Sequence, residues 1–185
     1  MGEIVLIRHG QTEWSAAGRH TSYTDLDLTG DGERQARAAG ERLAGRSFAA
    51  VISSPRRRAQ RTAELAGLTV TETTEDLAEW NYGEYEGVTT TTIRETVPGW
   101  TVWTHPSPGG EGPHQVSDRM DRVIDRVRSH GGHTLIFGHG HALRALTARW
   151  LGQPISEGRL FLLDTATVSV LGYERDQAVV TKWNA

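Results

Sequence analysis

Four short segments hold the residue types that could do chemistry. Arg8-His9-Gly10 follows the aliphatic run Ile4 to Ile7, and Gln11 and Thr12 come next. Ser53-Ser54-Pro55, with Arg56, Arg57 and Arg58 after it, follows a second apolar run, and His139-Gly140-His141 follows a third. Glu79 lies in the acidic, aromatic stretch Leu77 to Gly87. If these strand ends converge, one site holds two imidazoles, one or more guanidiniums and a carboxyl group. That set suits phosphoryl transfer through a histidine. A neutral imidazole is a good nucleophile whose pKa lies near physiological pH. Arginine matches phosphate oxygens bidentately and stays charged. A carboxylic acid can protonate a leaving alkoxide if burial raises its pKa.

Plainer readings apply to the neighbours. Arg56, Arg57 and Arg61 read as solvated or ion-paired surface residues, and Glu84 and Glu86 as loop charges. His105, His114, His130 and His133 read as surface residues, and Asp25 and Asp27 as turn and cap residues. His139 and His141 could suggest a metal pair, but no third ligand stands at a suitable spacing. No metal and no cofactor is therefore expected, and His141 reads as a supporting residue behind the site or at its rim.

The elements that must position these residues follow from periodicity. Ile4 to Ile7, a short aliphatic run, reads as a strand buried on both faces. In an open α/β sheet ligands bind beyond the carboxyl ends of such strands. Thr29 is placed as the N-cap of a helix of small residues, Ala36, Ala39, Gly40 and Leu43, ending near Gly45. Phe48 to Ile52 is a second strand; Ser54 is expected to cap the next helix with Pro55 at its first position. Leu68 to Thr71 reads as a short edge strand. Thr89 to Thr96 reads as a short helix, and 88–113, with Trp100 and Trp103, as a flap. Val116 to about His130 is an amphipathic helix, Thr134 to Phe137 a buried strand and Ala142 to Leu151 a helix. Val168 to Tyr173 and Ala178 to Trp183 form an antiparallel hairpin at one edge. Alternating strands and helices predict a single α/β domain, a three-layer αβα sandwich. Its mostly parallel sheet has about six strands, with an edge strand antiparallel.

Composition bounds the function. The 185 residues carry a net charge of -3, with 37% hydrophobic and 23% charged residues, so neither nucleic acid nor an anionic membrane is indicated as a partner. The sequence has no cysteine, which suits the cytoplasm. No signal peptide is visible, and no apolar run approaches the roughly 18 to 20 residues of a membrane span.

L-I-R-H-G-Q-T-E-W at 6–14, S-S-P-R-R-R-A-Q-R-T-A at 53–63, E-W-N-Y-G-E-Y-E-G at 79–87 and F-G-H-G-H at 137–141 resemble, in order, the motifs of the histidine phosphatase superfamily, phosphoglycerate-mutase-like branch. The resemblance implies His9 as nucleophile, Arg8 and Arg58 as phosphoryl clamps and His139 as a transition-state contact. It implies Glu79 as proton donor and then base, with Gln11, His20, Thr21 and Tyr82 lining the phosphate or substrate pocket. W-S-x-x-G-x-x-T at 14–21, Gly110-Glu111 and G-H-G-H-A-L-R at 138–144 are similar to the subgroup that contains sedoheptulose bisphosphatases and a mycobacterial acid phosphatase. The implied activity is a metal-independent phosphomonoesterase for a small sugar phosphate or bisphosphate, with a bell-shaped pH profile centred on or below neutrality. A mutase, a protein phosphohistidine phosphatase and a phosphate-binding regulator without turnover are the alternatives; the short acid loop disfavours the first, the flap the second and the complete residue set the third.

Overall fold

The computed structural model describes residues 2–185. Its strands are β1 (Ile4–Arg8), β2 (Ala50–Ser53), β3 (Glu72–Thr73), β4 (Thr134–Gly138), β5 (Val168–Glu174) and β6 (Gln177–Lys182), in the sheet order β3-β2-β4-β1-β5-β6. The first four run parallel; β5 runs antiparallel to both β1 and β6. The helices are α1 (Glu13–Ala16), α2 (Gly30–Arg42), α3 (Arg57–Leu65), α4 (Thr90–Thr96), α5 (Pro113–Ser129) and α6 (Gly140–Trp150).

The aliphatic run of β1 is continuous because both its faces are covered. Val5 and Ile7 join Val51, Leu135 and Phe137 under the small residues Ala39, Ala59 and Ala63 of α2 and α3. Ile4 and Leu6 join Ile52 and Ile136 under Val116, Met120 and Val123 of α5 and Leu143 and Leu146 of α6. The small residues allow close packing: a Cβ on Gly40 would lie 2.3 Å from the Ala66 carbonyl oxygen. The expected αβα sandwich is thus present, with its hairpin edge. Among the described residues no helix is long and apolar enough to cross a membrane.

The topology fixes where a ligand can sit. The chain leaves β1 for α2 on one face and leaves β4 for α6 on the other, and β1 and β4 are neighbours. Their carboxyl ends therefore flank a switch point, where opposed connections open a crevice. Arg8 pairs with Gly138 in register, so His9 and His139 emerge side by side.

Two local expectations need correction. The edge strand lies at Glu72–Thr73 rather than Leu68 to Thr71. Thr71 Oγ1 accepts from Val51 N at 3.0 Å and donates to Val51 O at 3.1 Å. Thr71 N also donates to Val51 O at 2.9 Å, so Thr71 is bonded to β2 through backbone and hydroxyl together, and the regular ladder runs from Glu72. Helix α3 starts at Arg57, not at Pro55, and its N-cap Arg56 makes no side-chain cap. Asp25 takes that role from a distant loop: its Oδ1 accepts from Arg57 N at 2.9 Å. The Ser54 hydroxyl lies 2.7 Å from His139 Nε2 and also accepts from Arg56 N at 3.3 Å, one residue before the helix. Thr29 caps α2 as expected, accepting from Gly32 N at 3.0 Å.

Candidate active site

His9 leaves β1 with its ring held by one hydrogen bond. Nδ1 lies 2.7 Å from the Gly10 carbonyl oxygen. A carbonyl only accepts, so Nδ1 carries the proton and Nε2 presents its lone pair. The loop under it is fastened twice. Gly10 N donates to Thr62 Oγ1 at 2.9 Å, and a Cβ on Gly10 would come within 2.4 Å of the Gly32 carbonyl oxygen, so only glycine fits against the start of α2.

His139 lies beside His9, with ring centroids 5.3 Å apart. Arg58 Nε donates to His139 Nδ1 at 3.2 Å, which puts the His139 proton on Nε2, 2.7 Å from Ser54 Oγ. Arg58 is fully buried. Its terminal nitrogens donate to the carbonyls of Thr21, Ser22 and Thr24. It therefore pins the loop that follows α1 as well as the tautomer of His139. Arg8 donates through Nη1 to Leu163 O at 2.7 Å, while its buried Nε has no protein partner.

Glu79 reaches the site from a loop. Its Oε1 accepts from Trp80 N at 2.9 Å and Ala142 N at 2.8 Å, and its Oε2 from His141 N at 3.0 Å. His141 and Ala142 belong to the first turn of α6, whose N-cap His139 makes no side-chain cap. The carboxyl group supplies that cap from outside and sits at the positive end of the helix. A Cβ on Gly140 would stand 3.5 Å from the Arg8 guanidinium carbon and 3.6 Å from Glu79 Oε2, so the bare backbone there forms the floor between acid and arginine.

Arg8, His9, His20, Thr21, Glu79, Tyr82, His141 and Arg144 line one cleft of about 170 Å³. Six of the nine singled-out residues thus line it; Arg58, His139 and Gln11 do not. Gln11 turns away to α2, where its Oε1 accepts from Thr29 Oγ1 at 2.9 Å. Arg58 and His139 lie one layer beneath the cleft wall, with no exposed surface. Trp100 and Trp103 are buried in the flap; Trp103 packs edge-on against Trp80, ring centroids 5.6 Å apart. A larger cavity, of about 470 Å³ around Arg128, Trp150 and Tyr173, opens elsewhere and contains none of these residues.

Sequence reasoning missed three contributors. Ser54 was read as a helix cap. Arg144 stands one helical turn after Gly140 on α6, a spacing that could have flagged it. Arg119 sits among Val116, Met120 and Val123 on the buried face of α5, and a cation at such a position is itself a signal. Tyr82 OH lies 2.5 Å from His141 Nδ1, which ties His141 into the cleft wall as a supporting residue.

The electrostatics favour neutral imidazoles. Burial, reinforced by Arg58 and then Arg8, holds the His9 pKa well below its ordinary value. Burial and Arg58 do the same for His139, and burial and Arg144 for His141. Burial brings His20 down to about 4. Folded pKa values below the unfolded value of about 6.5 mean that the unfolded chain binds more protons. Their contribution to stability is complete above pH 6.5 and is lost as pH falls toward the folded values. Each such histidine should cost up to about 1.4 kcal/mol per pH unit in that window. Melting temperature measured from pH 7.5 to 4.5 should hold to about 6.5 and then decline steeply; a flat profile to pH 5 would contradict the assignment.

A switch-point crevice lined by arginines and paired neutral histidines defines an anion site of the α/β class. A family model, the histidine phosphatase superfamily (branch 1), matches residues 4–185. An acid phosphatase of Mycobacterium tuberculosis is 47% identical over 175 residues, covering 92% of this chain and 86% of that protein. The sedoheptulose 1,7-bisphosphatase of Saccharomyces cerevisiae is 34% identical over 181 residues, covering 80% and 67%. A solved structure of a Mycobacterium tuberculosis open-reading-frame product superposes with a TM-score of 0.96 at 44% identity, covering 99% of this chain and 97% of that one. The chain belongs to the histidine phosphatase superfamily, and its phosphatase-named relatives support a phosphatase activity.

Proposed function

We propose that this protein is a metal-independent phosphomonoesterase that works through a phosphohistidine on His9, with a small phosphorylated metabolite as substrate. One observation carries the reading: the unprotonated Nε2 of His9 shares a cleft with the unpartnered Nε of Arg8 and the carboxyl group of Glu79. In the first step the Nε2 lone pair forms the N–P bond while the P–O ester bond breaks. The leaving oxygen takes a proton from Glu79. In the second step Glu79 accepts a proton from water, whose oxygen attacks phosphorus, and the N–P bond breaks to release phosphate and the ring.

The charge of a loose phosphoryl transition state spreads over three oxygens. Arg8 is the guanidinium with donors free for those oxygens. Arg58, with its nitrogens committed to backbone carbonyls and His139, contributes a fixed positive field and orients His139.

Turnover of p-nitrophenyl phosphate with EDTA present, followed by a rapid acid-free quench, should leave an acid-labile, base-stable phosphate on His9. Turnover with no such adduct under single-turnover conditions overturns the covalent route. The pH dependence follows from the same roles. His9 stays neutral well below pH 6.5, so kcat/KM should persist on the acid side of neutrality, as far as the fold does. A kcat/KM that collapsed between pH 7 and 6 while the fold held would contradict a neutral His9.

A further inference from the structure

Glu86 follows Glu79 in the same acidic stretch, and it read there, like Glu84, as a loop charge. The structure separates the two. Glu84 is exposed, whereas Glu86 is half-buried. Glu86 Oε1 accepts from Ser22 N at 2.9 Å and from Thr24 N at 3.1 Å, and its Oε2 accepts from Ser22 N at 2.9 Å. The backbone on either side is fixed as well. Glu86 N donates to Gly83 O at 3.1 Å, Gly87 N to His20 O at 2.8 Å, and His20 N to Val88 O at 3.0 Å.

Arg58 holds the same loop from the other side. Its Nη2 donates to Thr21 O at 3.2 Å and Ser22 O at 3.0 Å, and its Nη1 to Thr24 O at 3.0 Å. The loop therefore lies between opposite charges, with its carbonyls on the guanidinium and its N–H groups on the carboxylate. One amide joins the two. Thr21 O and Ser22 N belong to a single peptide unit, whose carbonyl accepts from Arg58 while its N–H donates to Glu86. Both bonds are charge-assisted, and hydrogen bonds in such a chain polarise one another.

Arg58 has need of a counter-charge. It is fully buried, and among the described residues no carboxylate lies within 4.0 Å of its nitrogens. Burial works against its charge; Glu79, Asp25 and Glu86 support it, in that order. The first two support it unevenly. Glu79 is neutral whenever it carries the proton that it delivers. Asp25 is exposed, where water and salt screen it. We propose that Glu86 is the standing counter-charge of Arg58, acting through the Thr21–Ser22 peptide, and is thereby a positioning residue for the Arg58–His139 pair. Its effect on rate rests on the phosphomonoesterase reading; the coupling itself does not.

Glu86→Gln keeps the length of the side chain and one acceptor oxygen and removes the charge. The loop also carries His20 and Thr21, which line the cleft, so a carboxylate that only tethered it would show its loss in KM. A counter-charge acts on Arg58 and His139, so kcat should fall about tenfold while KM stays within about threefold. The Arg58 Nε–H proton, buried against His139 Nδ1, reports the coupling without turnover. Its exchange with solvent, followed by proton–nitrogen NMR, should quicken about tenfold in Glu86→Gln and stay at the wild-type rate in Glu84→Gln. If circular dichroism shows that Glu86→Gln does not fold, Glu86→Asp, which withdraws the carboxylate by one methylene, should reproduce both effects. A rise in KM with kcat unchanged, or Arg58 Nε–H exchange equal to wild type, would overturn the proposal. Wild-type turnover of p-nitrophenyl phosphate reports on the phosphatase reading alone. Failure there, with the exchange effect of Glu86→Gln intact, would sink hydrolysis and leave the coupling standing.

Discussion

His9→Ala should lower kcat for phosphate monoesters by about 10⁴- to 10⁶-fold, in the range seen when a covalent nucleophile is removed from a preorganised site. The magnitude decides between roles. A histidine that only braced Arg8 would cost about 10²-fold through misplacement. A loss beyond 10⁴ requires that the bond-forming atom itself has gone. The variant should fold, because His9 makes a single side-chain hydrogen bond, to the neighbouring Gly10 carbonyl. A circular dichroism spectrum and melting temperature close to wild type would establish that. Glu79→Gln should behave differently. General acid catalysis is worth about 10²- to 10⁴-fold, and a p-nitrophenolate leaving group scarcely needs it. The Glu79→Gln defect should therefore be large for an alkyl phosphate such as glycerol 3-phosphate and small in the first step for p-nitrophenyl phosphate, whereas the His9→Ala defect should be equal for both. An alkyl-to-aryl difference that appeared for His9→Ala, or failed to appear for Glu79→Gln, would exchange or dissolve these roles.

The parts of this site that were legible in the sequence lie at the ends of buried strands. Ile4 to Ile7 and Thr134 to Phe137 are continuous aliphatic or aromatic runs, and such runs place whatever follows them at the edge of the sheet. His9 and His139 could be found that way without knowledge of any partner. What the sequence conceals is pairing between distant loops. Nothing near Ser54 reveals that its hydroxyl will serve His139, 85 residues away, as well as Arg56 N two residues on. Nothing near Asp25 reveals that it caps α3 across 32 residues. Gln11 follows the motif directly, yet a local contact with Thr29 turns it from the cleft. At Thr71 a hydroxyl supplements the backbone bond to Val51 O and takes the Val51 N–H that a further rung would have used, and the regular ladder begins one residue later. In each case a side chain competes with the backbone for the same hydrogen bonds, and local propensity carries no record of the winner.

The Glu79 loop illustrates the same point at larger cost, because its position depends on a buried ion pair between two other elements. Arg119 on α5 meets Glu111 of the flap with both arms, Nε to Oε1 at 2.9 Å and Nη2 to Oε2 at 3.0 Å. Its remaining nitrogen, Nη1, donates to Asp76 O at 2.9 Å and Ala78 O at 2.7 Å, immediately before Glu79. Glu111 holds the other side, accepting from Asn81 N at 2.8 Å through its carboxylate and from Trp80 Nε1 at 2.9 Å through its carbonyl. The pair is thus a clamp on residues 76–81. Gly83 and Gly110 permit the two loops to touch: a Cβ on Gly110 would fall 2.3 Å from Asn81 O, and one on Gly83 2.1 Å from Pro108 O. Arg119→Ala should destabilise the fold by about 3–5 kcal/mol, since it removes a buried guanidinium and leaves a partly buried carboxylate and two carbonyls without their partner. For a chain of this size the melting temperature should fall by about 6–20 °C, and the urea midpoint should fall with the slope unchanged. Arg119→Met combined with Glu111→Leu should recover part of the loss, because no charge is then left unpaired. The activity defect should survive that rescue. Restored packing does not restore the bonds to the Asp76, Ala78 and Asn81 backbone, and an acid displaced by 1 Å loses about 10²-fold. A double variant that regained both stability and full turnover of glycerol 3-phosphate would show that the clamp holds the fold together without aiming Glu79.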